Sequence, residues 1–267
     1  MGPRSALDDF AASDGPVRVI GHRGYSSRAP ENTLAAFSLL CDEGVFGAEL
    51  DVYRCASGEV VVIHDHNLQR TAGVPLSVTE TPFDRLREHD VGRWFNARHA
   101  GERIPLLEEV FELASGRLFF DVEIKHYPAS DRKARGDGVE AQTVRLIRRH
   151  GLARRCIVSS FSPAIVRRVR LLAPDIPVAL IYARAPDAPS RLRRKAARLL
   201  SGATVMKPHH GLATAANVRW HRTMGRLVMP WTVDDPDVAA TLAARGVDAI
   251  ITNKPGEIRD ALGQMSR

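Results

Sequence analysis

Val17-Arg18-Val19-Ile20-Gly21-His22-Arg23-Gly24, Ala48-Glu49-Leu50-Asp51-Val52, Val60-Val61-Val62-Ile63-His64-Asp65 and Phe119-Phe120-Asp121-Val122-Glu123-Ile124-Lys125 are the stretches that decide how this chain is read. Each is a short apolar run of strand type, and groups able to do chemistry gather within it or at its end. Residues i, i+2 and i+4 of a strand share a face, so Glu49 projects with Asp51, and Asp121 projects with Glu123 and Lys125.

Working outward from these runs, strand-like segments fall at 17–21, 48–52, 60–64, 118–124, 156–160, 178–182, 204–207, 227–232 and 249–252. Helix-like segments lie between them at 31–42, 106–114, 138–150, 163–172, 191–200, 213–224, 236–244 and 255–262. Asp234 and Asp235 ahead of Pro236 give a helix-start signal with proline in the first turn. Alternation of this kind predicts βαβ units and a parallel sheet. The 267 residues are close to the ~250 of a closed (β/α)8 TIM barrel. The expected fold class is therefore α/β, a somewhat irregular (β/α)8 barrel. Two irregularities stand out. The connection 53–59 is too short for a crossover helix, so one unit is irregular or one of the nine candidates is not a barrel strand. Residues 67–103 show no clean period and read as a small insertion after the third run, within one domain spanning 1–267. The chemical groups His22, Asp51, His64, Glu123 and Lys125 fall at C-terminal strand ends, the face where such barrels place their active sites.

Composition excludes several classes. The chain is 44% hydrophobic and 26% charged, as an ordinary globular protein is, and no apolar run approaches the ~18 residues of a membrane span. Its polar, acidic start is unlike a signal peptide, and Ala6 breaks the myristoylation pattern. Cys41, Cys55 and Cys156 lack metal-like spacing, and an odd, sparse set suits a reducing compartment, so a cytoplasmic location is expected. The net charge of +7 comes from arginine-rich clusters at 145–150, 154–155, 167–170 and 191–195. These read as solvated helix faces. The excess leaves a weak case for a nucleic-acid or anionic-lipid partner, but no aromatics are interleaved as in nucleic-acid binders. No nucleic-acid partner is expected.

Glu49 and Asp51 on one face repel each other unless something neutralises them. A hard divalent cation with Glu123 as third carboxylate would do so, and so would salt bridges to arginine. His22 and His64 suit general acid–base work flanking a substrate, although buried core histidines and metal ligation are open readings of the same residues. Arg23 and Lys125 read as clamps on an anionic group, with simple neutralisation of the acids as the alternative.

The ordered set His22-Arg23-Gly24, Pro30-Glu31-Asn32-Thr33, Glu49-Leu50-Asp51, His64-Asp65, Leu68-Gln69-Arg70-Thr71, Glu123-Ile124-Lys125, Ser159-Ser160-Phe161, Trp231-Thr232-Val233 and Thr252-Asn253-Lys254-Pro255 resembles the glycerophosphodiester phosphodiesterase family from about Val17 to Ile258. The resemblance implies a (β/α)8 barrel carrying a divalent cation (Mg²⁺ or Ca²⁺, with Mn²⁺ as an option) on Glu49, Asp51 and Glu123. His22 and His64 would be the acid–base pair, Arg23 and Lys125 would contact phosphate, Phe161 and Trp231 would line the mouth, and Glu31 and Asn32 would support the first loop, with Glu31 starting a helix. The implied reaction is hydrolysis of a glycerophosphodiester to glycerol 3-phosphate and an alcohol. A lysophospholipase D-like enzyme and a catalytically silent binding protein on the same scaffold are the alternatives. Asn253 stands where the family often has Asp, and Lys207, at a strand end, has no role implied.

Overall fold

The computed structural model describes Leu7, Phe10 and residues 16–114, 116–125, 138–183 and 201–265. Among the described residues nine strands form in chain order: β1 (Arg18–His22), β2 (Gly47–Arg54), β3 (Val60–Val62), β4 (Phe119–Ile124), β5 (Cys156–Ser160), β6 (Val178–Tyr182), β7 (Val205–Pro208), β8 (Leu227–Val228) and β9 (Ala249–Thr252). All but β3 run parallel, in the order β8-β7-β6-β5-β4-β2-β1-β9. Across the remaining seam Asp248 N donates to Val228 O at 3.0 Å and Ile251 N to Pro230 O at 3.0 Å, so eight strands form a nearly closed (β/α)8 barrel. Strand β8 ends sooner than the sequence suggests because Pro230 has no N–H for a ladder.

The strands are buried on both faces, as parallel strands between helices must be. Outward residues such as Leu50, Phe120, Val122, Val158 and Leu180 pack under the surrounding helices. Those helices begin with caps legible in sequence: Thr33 before Leu34–Asp42, Ser162 before Pro163–Leu172, Thr214 before Ala215–Thr223 and Asp235 before Pro236–Ala244. The helix expected at 191–200 and the basic cluster 191–195 lie outside the described residues.

Inside the barrel, composition changes along the axis. At the N-terminal end Ile20, Phe119, Ile157, Ala179, Val205, Met229 and Ala249 close around a fully buried Phe10, whose ring meets Phe119 at 4.7 Å and Phe46 at 5.6 Å. One pleat further along, the same faces carry His22, Glu49, Asp121, Ser159 and Lys207. Apolar side chains thus fill the lower barrel and ionisable ones the upper.

β3 settles the first irregularity. It pairs antiparallel with β2 (Val52 opposite Val62, Arg54 opposite Val60), so the short connection is a hairpin whose loop is 55–59, and β3 hangs off the barrel. His64 therefore sits in the loop after a hairpin strand, not at a barrel-strand end. Residues 67–103 follow as short helices, Gln69–Ala72 and Phe83–Arg87, with single turns at Val78–Glu80 and Ala97–His99. Leu68, Val78, Phe83, Leu86 and Val91 build a small core against Tyr53, Val61 and Ile63 of the hairpin.

Candidate active site

The register of β2 against β4 sets Glu49 opposite Asp121 and Asp51 opposite Glu123. Donor oxygens of Glu49, Asp51 and Glu123, all buried, lie within 4.8 Å of one another. The loop after β1 closes over them. Its backbone takes left-handed conformations at two non-glycine residues, Arg23 (φ 56°) and Asn32 (φ 58°). Both turns are used: Arg23 N donates to Glu49 Oε2 at 3.1 Å, and Asn32 Nδ2 donates to Asp51 Oδ2 at 2.8 Å. Asn32 in this conformation also stops the helix from starting at Glu31, and the helix begins at Leu34 with Thr33 as cap. Glu31 nonetheless accepts from Arg23 NH1 at 2.9 Å.

The cations are placed with equal economy. Lys125 Nζ lies 3.1 Å from Asp51 Oδ1 and 2.9 Å from Glu123 Oε1, and Arg23 Nε lies 3.3 Å from Asp51 Oδ2. Lys207, which carried no role in the sequence, is 2% exposed, with Nζ 2.6 Å from Asp121 Oδ2 and donating to Ser159 Oγ at 3.1 Å. Burial opposes ionisation of Asp51, but Lys125, Arg23 and His64 hold its carboxyl well below the usual range. Burial and then neighbouring Asp51 push Glu49 well above it, and burial raises Glu123 against the pull of Lys125. Lys125 and Arg23 thus keep Asp51 charged, whereas Glu49 and Glu123, crowded and dry, hold their charge only beside further positive charge. Three convergent oxygen donors fit a hard divalent cation.

Each histidine is oriented through Nδ1. His22 Nδ1 meets Asn253 Oδ1 at 2.8 Å, with Ser26 Oγ donating to the same oxygen at 2.7 Å. The Asn253 amide is oriented from behind, since Nδ2 donates to Asp234 Oδ2 at 2.6 Å and a carboxylate only accepts. Its oxygen therefore faces the imidazole, which fixes Nδ1 as donor and leaves an Nε2 lone pair 4.0 Å from Glu49 Oε2. Burial, reinforced by Arg23, pushes His22 down to about 4, so the ring is neutral at neutral pH. His64 Nδ1 lies 2.7 Å from Asp65 Oδ1, which again assigns Nδ1 as donor.

One cavity is lined by His22, Arg23, Glu49, His64, Glu123, Lys125, Phe161, Lys207 and Trp231, with Ile181 and Ile251. Phe161 and Trp231 meet edge to face at 5.5 Å and form its apolar wall. Asp51, Glu31 and Asn32 stand behind this lining. Sequence reasoning missed Asn253, Asp234, Asp65 and Arg70 as partners. The only signals were the Asn at the closing motif and the acid directly after His64.

The profile of the glycerophosphoryl diester phosphodiesterase family matches residues 22–257. A glycerophosphodiester phosphodiesterase from Caldanaerobacter subterraneus is 34% identical over 242 residues, covering 89% of this chain and 94% of the relative. An Oleispira antarctica phosphodiesterase, solved with the product sn-glycerol-3-phosphate, superposes with a TM-score of 0.83 at 26% identity over 97% of this chain and all of that one. A glycerophosphodiester phosphodiesterase from Agrobacterium tumefaciens gives 0.76 at 25% identity, over 91% and 99% of the two chains.

Proposed function

The chain belongs to the glycerophosphoryl diester phosphodiesterase family, and from that premise we propose that it hydrolyses a glycerophosphodiester to glycerol 3-phosphate and an alcohol at the barrel mouth. The observation that carries this reading is the convergence of Glu49, Asp51 and Glu123 within 4.8 Å beside a cavity lined by two histidines. Those three carboxylates would hold the divalent cation, Mg²⁺ or Ca²⁺ with Mn²⁺ as an option, which supplies Lewis-acid polarisation of the phosphoryl oxygens when bound.

This chain's residues do the rest. Arg23 and Lys125 bind the non-bridging oxygens of the phosphate. His22, kept neutral and presenting the Nε2 lone pair, takes the proton of the attacking hydroxyl, either of water or of the glycerol 2-position. His64, its Nδ1–H donated to Asp65, gives a proton from Nε2 to the departing alcohol. Phe161 and Trp231 contact the carbon skeleton. Residues 67–103 are an insertion within one domain, and three free thiols support a cytoplasmic location.

Exhaustive chelation should abolish turnover of glycerophosphocholine, and Mg²⁺, Ca²⁺ or Mn²⁺ should restore it. Glu49→Gln or His64→Ala should lower kcat by at least ~10²-fold. Full turnover by either variant, or by the chelated protein, would sink the reading. Parallel assay of lysophosphatidylcholine separates it from the lysophospholipase D alternative.

A further inference from the structure

The proposed roles of His64 and Arg23 require two loops from different parts of the fold to keep register. His64 belongs to the loop after the β3 hairpin and Arg23 to the loop after β1. Between them stands Arg70, a residue of the insertion that neither lines the cavity nor belongs to the carboxylate triad. Its Nε donates to Asp65 Oδ2 at 2.7 Å, on the carboxylate whose other oxygen holds His64. Its NH1 and NH2 donate to Glu31 Oε2 at 3.1 Å and Oε1 at 2.6 Å, on the carboxylate that holds Arg23. Charges alternate without a break along Arg23, Glu31, Arg70 and Asp65 to His64.

Arg70 is itself anchored. The helix Gln69–Ala72 carries buried Thr71, ends on Gly73 in the left-handed conformation, and starts where Asn67 Oδ1 accepts from Gln69 N at 3.0 Å. The guanidinium lies 5.3 Å from the ring centroid of Trp94, whose Nε1 donates to Val91 O at 2.8 Å. The ring is thus a platform supplied by the same insertion. A planar fork is needed to present one N–H edge to Asp65 and another to Glu31, and a lysine offers no such geometry.

We propose that Arg70 is a positioning residue that sets the proton-donating histidine, through Asp65, against the phosphate-binding arginine, through Glu31, so that the insertion completes the catalytic apparatus. The inference rests on the reading of His64 as acid and Arg23 as phosphate ligand, and the test separates the two. Two diesters share the glycerophosphoryl half: glycerophosphocholine, whose alcohol needs a proton to leave, and glycerophospho-p-nitrophenol, whose phenolate does not. Arg70→Gln should lower kcat ~10–100-fold on the first, the range of losses seen when an orienting partner is removed. On the second, kcat should stay within a few-fold of wild type. KM should rise alike on both. Asp65→Asn should reproduce the kcat effect alone and Glu31→Gln the KM effect alone, while Arg70→Lys should not rescue. In a His64→Ala background, Arg70→Gln should cost no further kcat.

Equal kcat losses on both diesters in an Arg70→Gln or Asp65→Asn protein that is fully folded at the assay temperature would overturn the proposal. So would an undiminished loss in the His64→Ala background. If His64→Ala itself loses equally on both diesters, the acid assignment falls, and the double variant alone still decides whether Arg70 works through His64.

Discussion

Arg23 and Asn32 are the two residues whose backbone conformation is bent to the needs of the site. An L-residue in the left-handed region costs ~1–2 kcal/mol, and Asn is among the few side chains that tolerate it. Here the conformation is exchanged for bonds to Glu49 and Asp51. Asn32→Ala should lose the amide that holds Asp51 as well as that tolerance. The expected result is a stability loss of ~1–2 kcal/mol and a weaker apparent affinity for the activating cation, read by calorimetric titration. Glu31 and Asp65 make a second residue-scale prediction. Burial acts to raise both carboxyls, yet Arg70 leaves each below its ordinary value of 4.5 or 3.8. The unfolded chain therefore binds more protons near those values, and stability falls as pH falls through and below them. Arg70→Gln relaxes the depression. Its deficit in unfolding midpoint should be complete at pH 7 and shrink below about pH 4.5, which a thermal series across pH reads directly. Glu49, Asp51 and Glu123 were legible because strand alternation pairs acids on one face, and the histidines because each closes a short apolar run. Asn253 was not, because its bond to His22 spans 231 residues, and Arg70 stood in a quoted motif with no role because its partners Glu31 and Asp65 come from two different loops.

Elements were legible wherever a local signal marks their ends. The helices at 163–172 and 236–244 begin and end where Ser162, Asp235 and their following prolines predict. Thr214 caps Ala215–Thr223 by accepting from Asn217 N at 3.2 Å, and Thr214→Ala should lower stability by ~1 kcal/mol in denaturant unfolding with kcat unchanged. Boundaries failed where long-range bonding overrides local preference. The first helix loses Glu31 to Thr33 because Asn32 turns toward Asp51, and β8 stops short of Pro230. β3 reads as a barrel strand in sequence, since an apolar run does not disclose whether its partner is parallel. Only the short connection hinted at the hairpin.

At the scale of the whole molecule, the barrel separates what stabilises from what reacts. Phe10 fills the N-terminal end among Ile20, Phe119 and Val205, beneath the layer that carries the carboxylates. Phe10→Ala should cost ~3–5 kcal/mol in unfolding free energy, while kcat and KM at temperatures below the transition stay at wild-type values; a fall in kcat without a fall in stability would contradict this division. The (β/α)8 architecture was readable from alternation and length together, while barrel closure was not, since it depends on backbone bonds between residues of a short β8 and β9.

A stoppered barrel has one doorway. Among the described residues the lower end is packed with side chains, so the diester and both of its fragments use the same mouth, between Phe161, Trp231 and the loop of His64. With the phosphate-binding roles proposed for Arg23 and Lys125, glycerol 3-phosphate is the fragment left against them, and it has to depart before the next diester can be seated. Flux through the enzyme is thereby tied to how quickly the surroundings clear that fragment, and added glycerol 3-phosphate should inhibit in strict competition with the diester.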